Sequence, residues 1–209
     1  MTENFERIDP QEQNRILEAC IAEFAEHGYA QASTNAIVRR AGIPKGTLFY
    51  YFGSKKDLYL YVLDYAIEQY VAAFNQLGGM LPADLFERLL ARGRIRMRFS
   101  IEHPQIYRLF YNAFLSTPPK IQAELAARSA GYAERSQQLL FDGLDTSPFR
   151  PEVEVKQAVE LVNLVLEGLF SRYAAELRRL PPEEALRFVE DLRPETWAYF
   201  ELLKHGIYR

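Results

Sequence analysis

Five cations, Arg39, Arg40, Lys45, Lys55 and Lys56, fall within the run Ser33 to Lys56, which holds no aspartate or glutamate and passes through the aromatics Phe49, Tyr50 and Tyr51. Side chains of this kind neutralise a phosphate backbone, and because each neutralised phosphate releases counterions, such binding weakens steeply with salt. The chain as a whole has the opposite sign, with 25 basic and 28 acidic residues and a formal charge of -3. A polyanion would therefore meet this patch and be repelled elsewhere. A charge run alone also fits a merely solvated surface, but here a turn and an outward polar face accompany it.

The elements that position these side chains follow from ordinary signals. Ser33 or Thr34 can cap a helix whose inward residues Ile37 and Ala41 are four apart, and Gly42 supplies a tight turn after it. Pro44 has no backbone N–H and disfavours a helical Ile43, so it suits the first turn of a second helix running to about Tyr51. At about 100° per residue, Leu48 and Phe52 point inward, Gly46, Thr47 and Tyr50 share the opposite face, and Lys45 stands at the positive helix end. The pattern is a helix-turn-helix whose second helix can enter a major groove.

This order of residues resembles the TetR-like (tetracycline-repressor) family of transcriptional regulators. The likeness begins at Ile16 with ILEACIAEFAEHGY, an amphipathic helix ending in Gly28 and Tyr29, and continues through TNAIVRRAGIPKGTLFYYFGSKKDL to about Leu63. It implies a three-helix DNA-binding domain at 1–54 and an effector-binding and dimerisation domain at 55–209. By the same likeness Thr34 caps its helix and touches phosphate, and Asn35 reaches a base, where its donor and acceptor suit adenine. Lys45, Gly46 and Thr47 meet base edges or approach the backbone closely, Tyr50 and Lys55 contact phosphate, and Tyr51 joins the DNA-facing set. Three residues depart from the family's pattern: Pro44 stands where a serine cap is common, Phe49 where a tyrosine is, and Tyr51 where a histidine is. Without its hydroxyl, Phe49 cannot make a phosphate contact.

A chain of 209 residues with 48% apolar and 13% aromatic content can bury one or two cores. No apolar stretch approaches the roughly 18 residues of a membrane span, and the N-terminal MTENFERIDPQEQNR is unlike a secretory signal, so a cytoplasmic protein is expected. Cys20, the only cysteine, shares a helical face with Ile16, Leu17 and Phe24 and reads as a small buried hydrophobe, with a redox sensor as the alternative. Lys45-Gly46-Thr47 lacks the glycine-rich loop and preceding strand of a phosphate-binding enzyme, and His27, His103 and His205 are isolated. No catalytic constellation, metal or cofactor is expected.

Beyond Leu63 helical periodicity continues, broken at Gly78-Gly79, Pro104, Pro118-Pro119, Ser147-Pro148 and Pro181-Pro182, which predicts an all-α fold of about nine helices. The fourth, Lys55 to about Leu77, begins beside the DNA and runs into the second domain, so a push at its far end can reach the reading head. The stretch Leu85 to Glu102 is apolar on two sides, with Phe86, Leu89, Leu90, Gly93, Met97 and Ile101 on one and Ile95 and Phe99 on the other. Its five arginines, Arg88 to Arg98, either cover solvent-facing surface and pair with nearby acids, or else Arg94 or Arg96 faces a cavity and pairs with an anionic effector group. Tyr107, Phe110, Tyr111 and Phe114 offer flat surfaces for a pocket or for core. The resemblance makes Tyr70, Met97, Tyr107, Phe110, Tyr132 and Asn163 candidate effector residues, and Arg94 joins them as the partner of an anionic group.

The helix from about Glu152 to Arg178 is apolar nearly all round and wants burial on two faces; its polar stripe, Glu160, Asn163, Glu167 and Ser171, meets water or a pocket. A last helix, Pro182 to Gly206, carries Leu186, Val189, Trp197, Phe200 and Leu203. The resemblance pairs these two helices with a second copy in a four-helix interface, with Val162, Leu166, Gly168, Trp197 and Phe200 in it. Two reading heads on a two-fold axis must reach major grooves about 34 to 36 Å apart, or a multiple of that. The expected function is therefore a homodimeric DNA-binding regulator, a repressor released from a near-palindromic double-stranded operator by a small, largely apolar effector. The alternative is a helical protein-interaction module that keeps the fold without reading an operator.

Overall fold

The computed structural model describes residues 2–75, 81–115, 119–177, 179–191 and 193–208. Among them are eleven α-helices: α1 (Glu3–Glu6), α2 (Pro10–Gln31), α3 (Thr34–Ala41), α4 (Lys45–Phe52), α5 (Lys55–Asn75), α6 (Leu85–Glu102), α7 (Pro104–Leu115), α8 (Gln122–Phe141), α9 (Val155–Leu177), α10 (Pro182–Asp191) and α11 (Arg193–Ile207). A 3-10 turn precedes α8, and one isolated bridge pairs Phe149 with Tyr208. The protein is all-α, as its periodicity predicts. The expected breaks at Gly78-Gly79 and Pro118, and the side chains of Tyr111, Phe114, Leu186 and Val189, lie outside the described residues.

Two helices differ from expectation. The polar N-terminus folds into α1, which places the fully buried Phe5 on Phe52, Tyr61 and Tyr51 at ring-centroid distances of 4.8, 5.6 and 5.7 Å. One aromatic among polar neighbours makes no periodic pattern, so tertiary packing, not local propensity, forms this turn. The expected single helix from Pro182 to Gly206 is two, α10 and α11. Pro194 occupies the second position of α11, where no donor is needed; in a continuous helix its missing N–H would leave the carbonyl of Glu190 without a partner.

The chain packs as two units, residues 1–72 with 103–134 and residues 73–102 with 135–209. In the first, α2 starts at Pro10 behind Asp9, whose carboxylate accepts from the N–H groups of Gln11 at 2.9 Å and Glu12 at 3.4 Å. Its apolar face buries Ile16, Leu17, Cys20, Ile21 and Phe24 in a core shared with Leu58, Val62 and Leu63 of α5 and Leu109 of α7. Burial pushes the Cys20 thiol up to about 12, so it is an unreactive hydrophobe.

In the second unit Phe86, Leu89, Val162, Leu166 and Phe200 form the core. Arg88 overturns the expectation of a solvent-facing or acid-paired side chain, for it is 2% exposed. Its Nε donates to the Pro82 carbonyl at 2.6 Å, Nη1 to Leu140 and Asp142 at 3.0 and 2.6 Å, and Nη2 to Leu81 and Gly143 at 3.3 and 3.1 Å. Those carbonyls precede α6 and close α8. A single fork of donors thus satisfies chain ends that helix geometry leaves open.

Candidate DNA-binding face

The reading head is built on its caps. Ser33 is the N-cap of α3, its Oγ accepting from the Ala36 N–H at 3.4 Å, whereas Thr34, to which the resemblance gives the cap, is the first helical residue. The N–H of Ser33 in turn donates to Oε1 of Glu23 at 2.8 Å. Glu23 is 5% exposed and lies 3.5 Å from Nδ1 of His27, so a buried carboxylate on α2 fixes where α3 begins. Sequence reading missed it. The signal was an acid three residues after Cys20 and seven after Ile16, on the face that α2 buries.

Gly42, at φ 65°, closes α3 in the left-handed region, with Ile43 donating back to the Val38 carbonyl at 3.1 Å. Pro44 then stands extended before α4 and brings no side-chain cap. The N–H groups of Thr47 and Leu48 donate to the Pro44 carbonyl, but those of Lys45 and Gly46 point out of the helix start with no side-chain acceptor.

The division into faces holds. Ile37, Ala41, Leu48 and Phe52 are all buried, while Asn35, Lys45 and Gly46 are exposed, Thr34 and Thr47 are half-buried, and Tyr50 is 64% exposed. Gly46 is the most telling of these. Apart from its chain neighbours and the backbone of its own helix, nothing in the protein lies within 4 Å of the place a Cβ would occupy, and its backbone is ordinary helix. A helical glycine costs about 0.5 to 1 kcal/mol against alanine. Nothing inside the chain requires the bare backbone; it is bare toward the outside. Tyr51 is not brought to this face: it is 8% exposed and packs on Phe5.

The five cations meet different neighbours in space. Lys45 is exposed, forms no ion pair among the described residues, and holds its ammonium 5.9 Å from the Phe49 ring. Lys55 donates from Nζ to the Ala30 carbonyl at 3.2 Å and lies 5.3 Å from the Tyr29 ring; burial lowers its pKa, with Glu23 opposing the shift. Lys56 is held by Oε1 of Glu124 at 2.9 Å. Arg39 and Arg40 share a surface cleft with Glu23, Glu26 and His27. Ser54 opens α5 with a reciprocal cap, its Oγ accepting from the Asp57 N–H at 3.1 Å and donating to the Asp57 carboxylate at 2.5 Å.

Of the candidate effector residues, the structure brings Tyr70, Phe110 and Tyr132 together in the first unit, with centroids 5.2, 5.1 and 6.1 Å apart, and Tyr107 belongs to the same unit. Arg94, Met97 and Asn163 belong to the second. Of the candidate dimer residues, Val162, Leu166 and Phe200 fill the core of the second unit itself, Trp197 is half-buried beneath the Lys204 ammonium at 4.3 Å, and Gly168 is exposed. The same two helices expose Leu161, Leu164 and Leu202, at 45, 61 and 72%.

Residues 16–62 match the model of the bacterial regulatory proteins of the tetR family. Over 181 residues the chain is 27% identical to the HTH-type transcriptional repressor AcnR of Corynebacterium glutamicum, spanning 84% of this chain and 88% of that protein. Over 155 residues it is 21% identical to the fatty acid metabolism regulator protein of Bacillus subtilis, spanning 71% and 76%. The fold is similar to the crystal structure of a TetR family transcriptional regulator from Chloroflexus aurantiacus, with a TM-score of 0.65 at 26% identity, covering 100% and 98% of the two chains. The family match falls on the helices that build and flank the outward face of α4, and the chain belongs to the TetR family of DNA-binding transcriptional regulators.

Proposed function

We propose that this regulator acts as a homodimer on a near-palindromic double-stranded operator and represses until a small, largely apolar effector lowers its affinity for DNA. The observation that carries the DNA half is Gly46, a helical glycine that no internal contact explains, beside the unpaired Lys45 and the exposed Tyr50. In this reading Lys45, Gly46 and Thr47 meet base edges, Asn35 reaches an adjacent base, and Thr34, Tyr50 and Lys55 hold phosphates. Lys55 gives one of its three N–H donors to the Ala30 carbonyl and keeps the others for a phosphate. The functional division falls at 54/55, with α5 starting at the DNA.

The dimer half rests on Leu161, Leu164 and Gly168 of α9 with Leu202 of α11, exposed positions that a second copy would cover. Leu164→Glu combined with Leu202→Glu should give a monomer by light scattering. The similarity to a fatty acid metabolism regulator supports an apolar effector. Coupling of about 1 to 3 kcal/mol between effector and operator is enough for release.

Titration of the protein on its own upstream DNA tests the reading. Lys45→Ala and Tyr50→Ala should each weaken operator binding by about 1 to 3 kcal/mol with helical content and Tm unchanged. Indifference to DNA sequence at every salt concentration would sink it.

A further inference from the structure

Helix α4, which carries Lys45, Gly46 and Thr47, has eight residues, and isolated helices under about 12 to 15 residues are marginal in water. Its position is therefore set by what lies under it, and it packs most closely on α3 and α1. The contact with α1 runs through a single ring. Phe5 is the buried residue of α1, and it meets Phe52 and Tyr51 of α4 at centroid distances of 4.8 and 5.7 Å and Tyr61 of α5 edge-on at 5.6 Å.

The ring is held in place from α2. The Gln13 side-chain amide donates to the carbonyls of Glu6 at 3.1 Å and Ile8 at 3.0 Å, at and just past the end of α1, and Ile8 packs on the same core. Thr2 brings no side-chain cap, so the ring and the amide hold a helix of four residues. Tyr51 completes the contact from α4. It stands where the family's pattern has a histidine, yet it is 8% exposed and turned to Phe5. That departure and the N-terminal helix meet in one contact. At about 1.5 Å per residue, Lys45 stands about 10 Å along the axis from Phe52, so a tilt of about 10° at the last turn displaces the helix start by about 2 Å. A hydrogen bond to a base edge spans about 2.7 to 3.2 Å and does not survive such a shift.

We propose that Phe5 is a positioning residue for DNA reading: through Tyr51 and Phe52 it sets the tilt of α4, and with it where Lys45, Gly46 and Thr47 meet the bases. The inference rests on the reading of α4 as the base-contacting helix given above. Loss of the ring removes sequence discrimination before it removes binding, because phosphates position and bases specify.

The test titrates the full chain, well below its Tm, on a duplex of its own upstream DNA and on a scrambled duplex of the same composition. Phe5→Ala should lower the ratio of the two affinities about tenfold or more, while affinity for the scrambled duplex and its salt dependence stay within about twofold. Leu109→Ala, a truncation on α7 in the same core, should also lower Tm yet leave the ratio within about twofold. Phe5→Leu keeps most of the apolar volume, should fold in any case, and should lower the ratio about threefold. An unchanged ratio in folded Phe5→Ala or, if that variant does not fold, in Phe5→Leu would overturn the proposal. So would an equal loss in Leu109→Ala, the mark of general loosening. An unaltered protein that does not distinguish the duplexes would overturn the base-contacting reading of α4 and this inference with it, whereas discrimination kept by every variant would overturn the inference alone.

Discussion

Two short basic stretches, Ser33 to Lys56 and Arg88 to Arg98, differ in what decides the fate of each side chain. In the first, caps and turn chemistry within a few residues set the faces: Ser33 caps, Gly42 turns, and Lys45, Gly46 and Tyr50 are left outward. In the second, near-identical residues on one helix end up with five carbonyls, a serine, a glutamate on α9, a glutamate one turn on, and nothing. A surface that must meet another molecule is written locally; a cation inside a packed unit is assigned by whatever the fold brings to it.

The largest effect that would break this comparison is at Arg88. Arg88→Met leaves five carbonyls around α6 and α8 without their donor and should cost about 3 kcal/mol or more, lowering Tm by about 10 °C. A change under about 0.5 kcal/mol, the behaviour of a surface arginine, would mean that the two stretches do not differ. Glu23→Ala comes next. It strips the acceptor from the Ser33 N–H at the start of α3 and should cost about 1 to 2 kcal/mol by thermal melting, with operator binding lost in proportion to the disordered cap. Gly46→Ala should do the reverse, keeping or slightly raising Tm while operator affinity falls, because the added methyl meets nothing beyond its chain neighbours and its own helix and obstructs only an outside partner.

The same contrast explains how much could be read from the amino-acid order. The all-α fold, the inward set Ile37, Ala41, Leu48 and Phe52, and the inert Cys20 follow from helical periodicity and caps, and all stand in the structure. Helix α1 did not show itself, because Phe5 is held by Phe52 and Tyr61 and not by any pattern of its own. The burial of Val162, Leu166 and Phe200, with Leu161, Leu164 and Leu202 left outside, turns on which side of α9 and α11 faces α6, a choice that an all-round apolar helix does not announce. Of the five arginines only Arg98 has a partner visible from spacing, four residues on at Glu102. Glu23 and Arg88 were hidden for one reason: each serves backbone groups distant in sequence.

The smallest effect concerns a residue that crosses the comparison, for Lys56 lies in the first stretch yet its partner is 68 residues away. Glu124 sits on α8, which is fastened to α5 by Arg128, whose Nε and Nη2 donate to the two carboxylate oxygens of Asp64 at 2.6 and 2.8 Å. The hydrogen bond between Lys56 and Glu124 raises the lysine's pKa and lowers the glutamate's. Both groups are solvent-accessible, so the pair contributes little to stability, and Glu124→Gln should leave Tm within about 1 °C. Its consequence is expected at the DNA, where Glu124 would cancel the charge of a lysine adjacent to Lys55, the proposed phosphate contact. Freed of it, Lys56 should neutralise one further phosphate, steepening the dependence of log affinity on log salt by about 0.9 and tightening operator binding several-fold at low salt. Lys56→Gln alone should change little, and adding it to Glu124→Gln should return the slope to that of the unaltered protein. An unchanged slope in Glu124→Gln would place Lys56 away from the phosphates and reduce the basic face to its α4 residues.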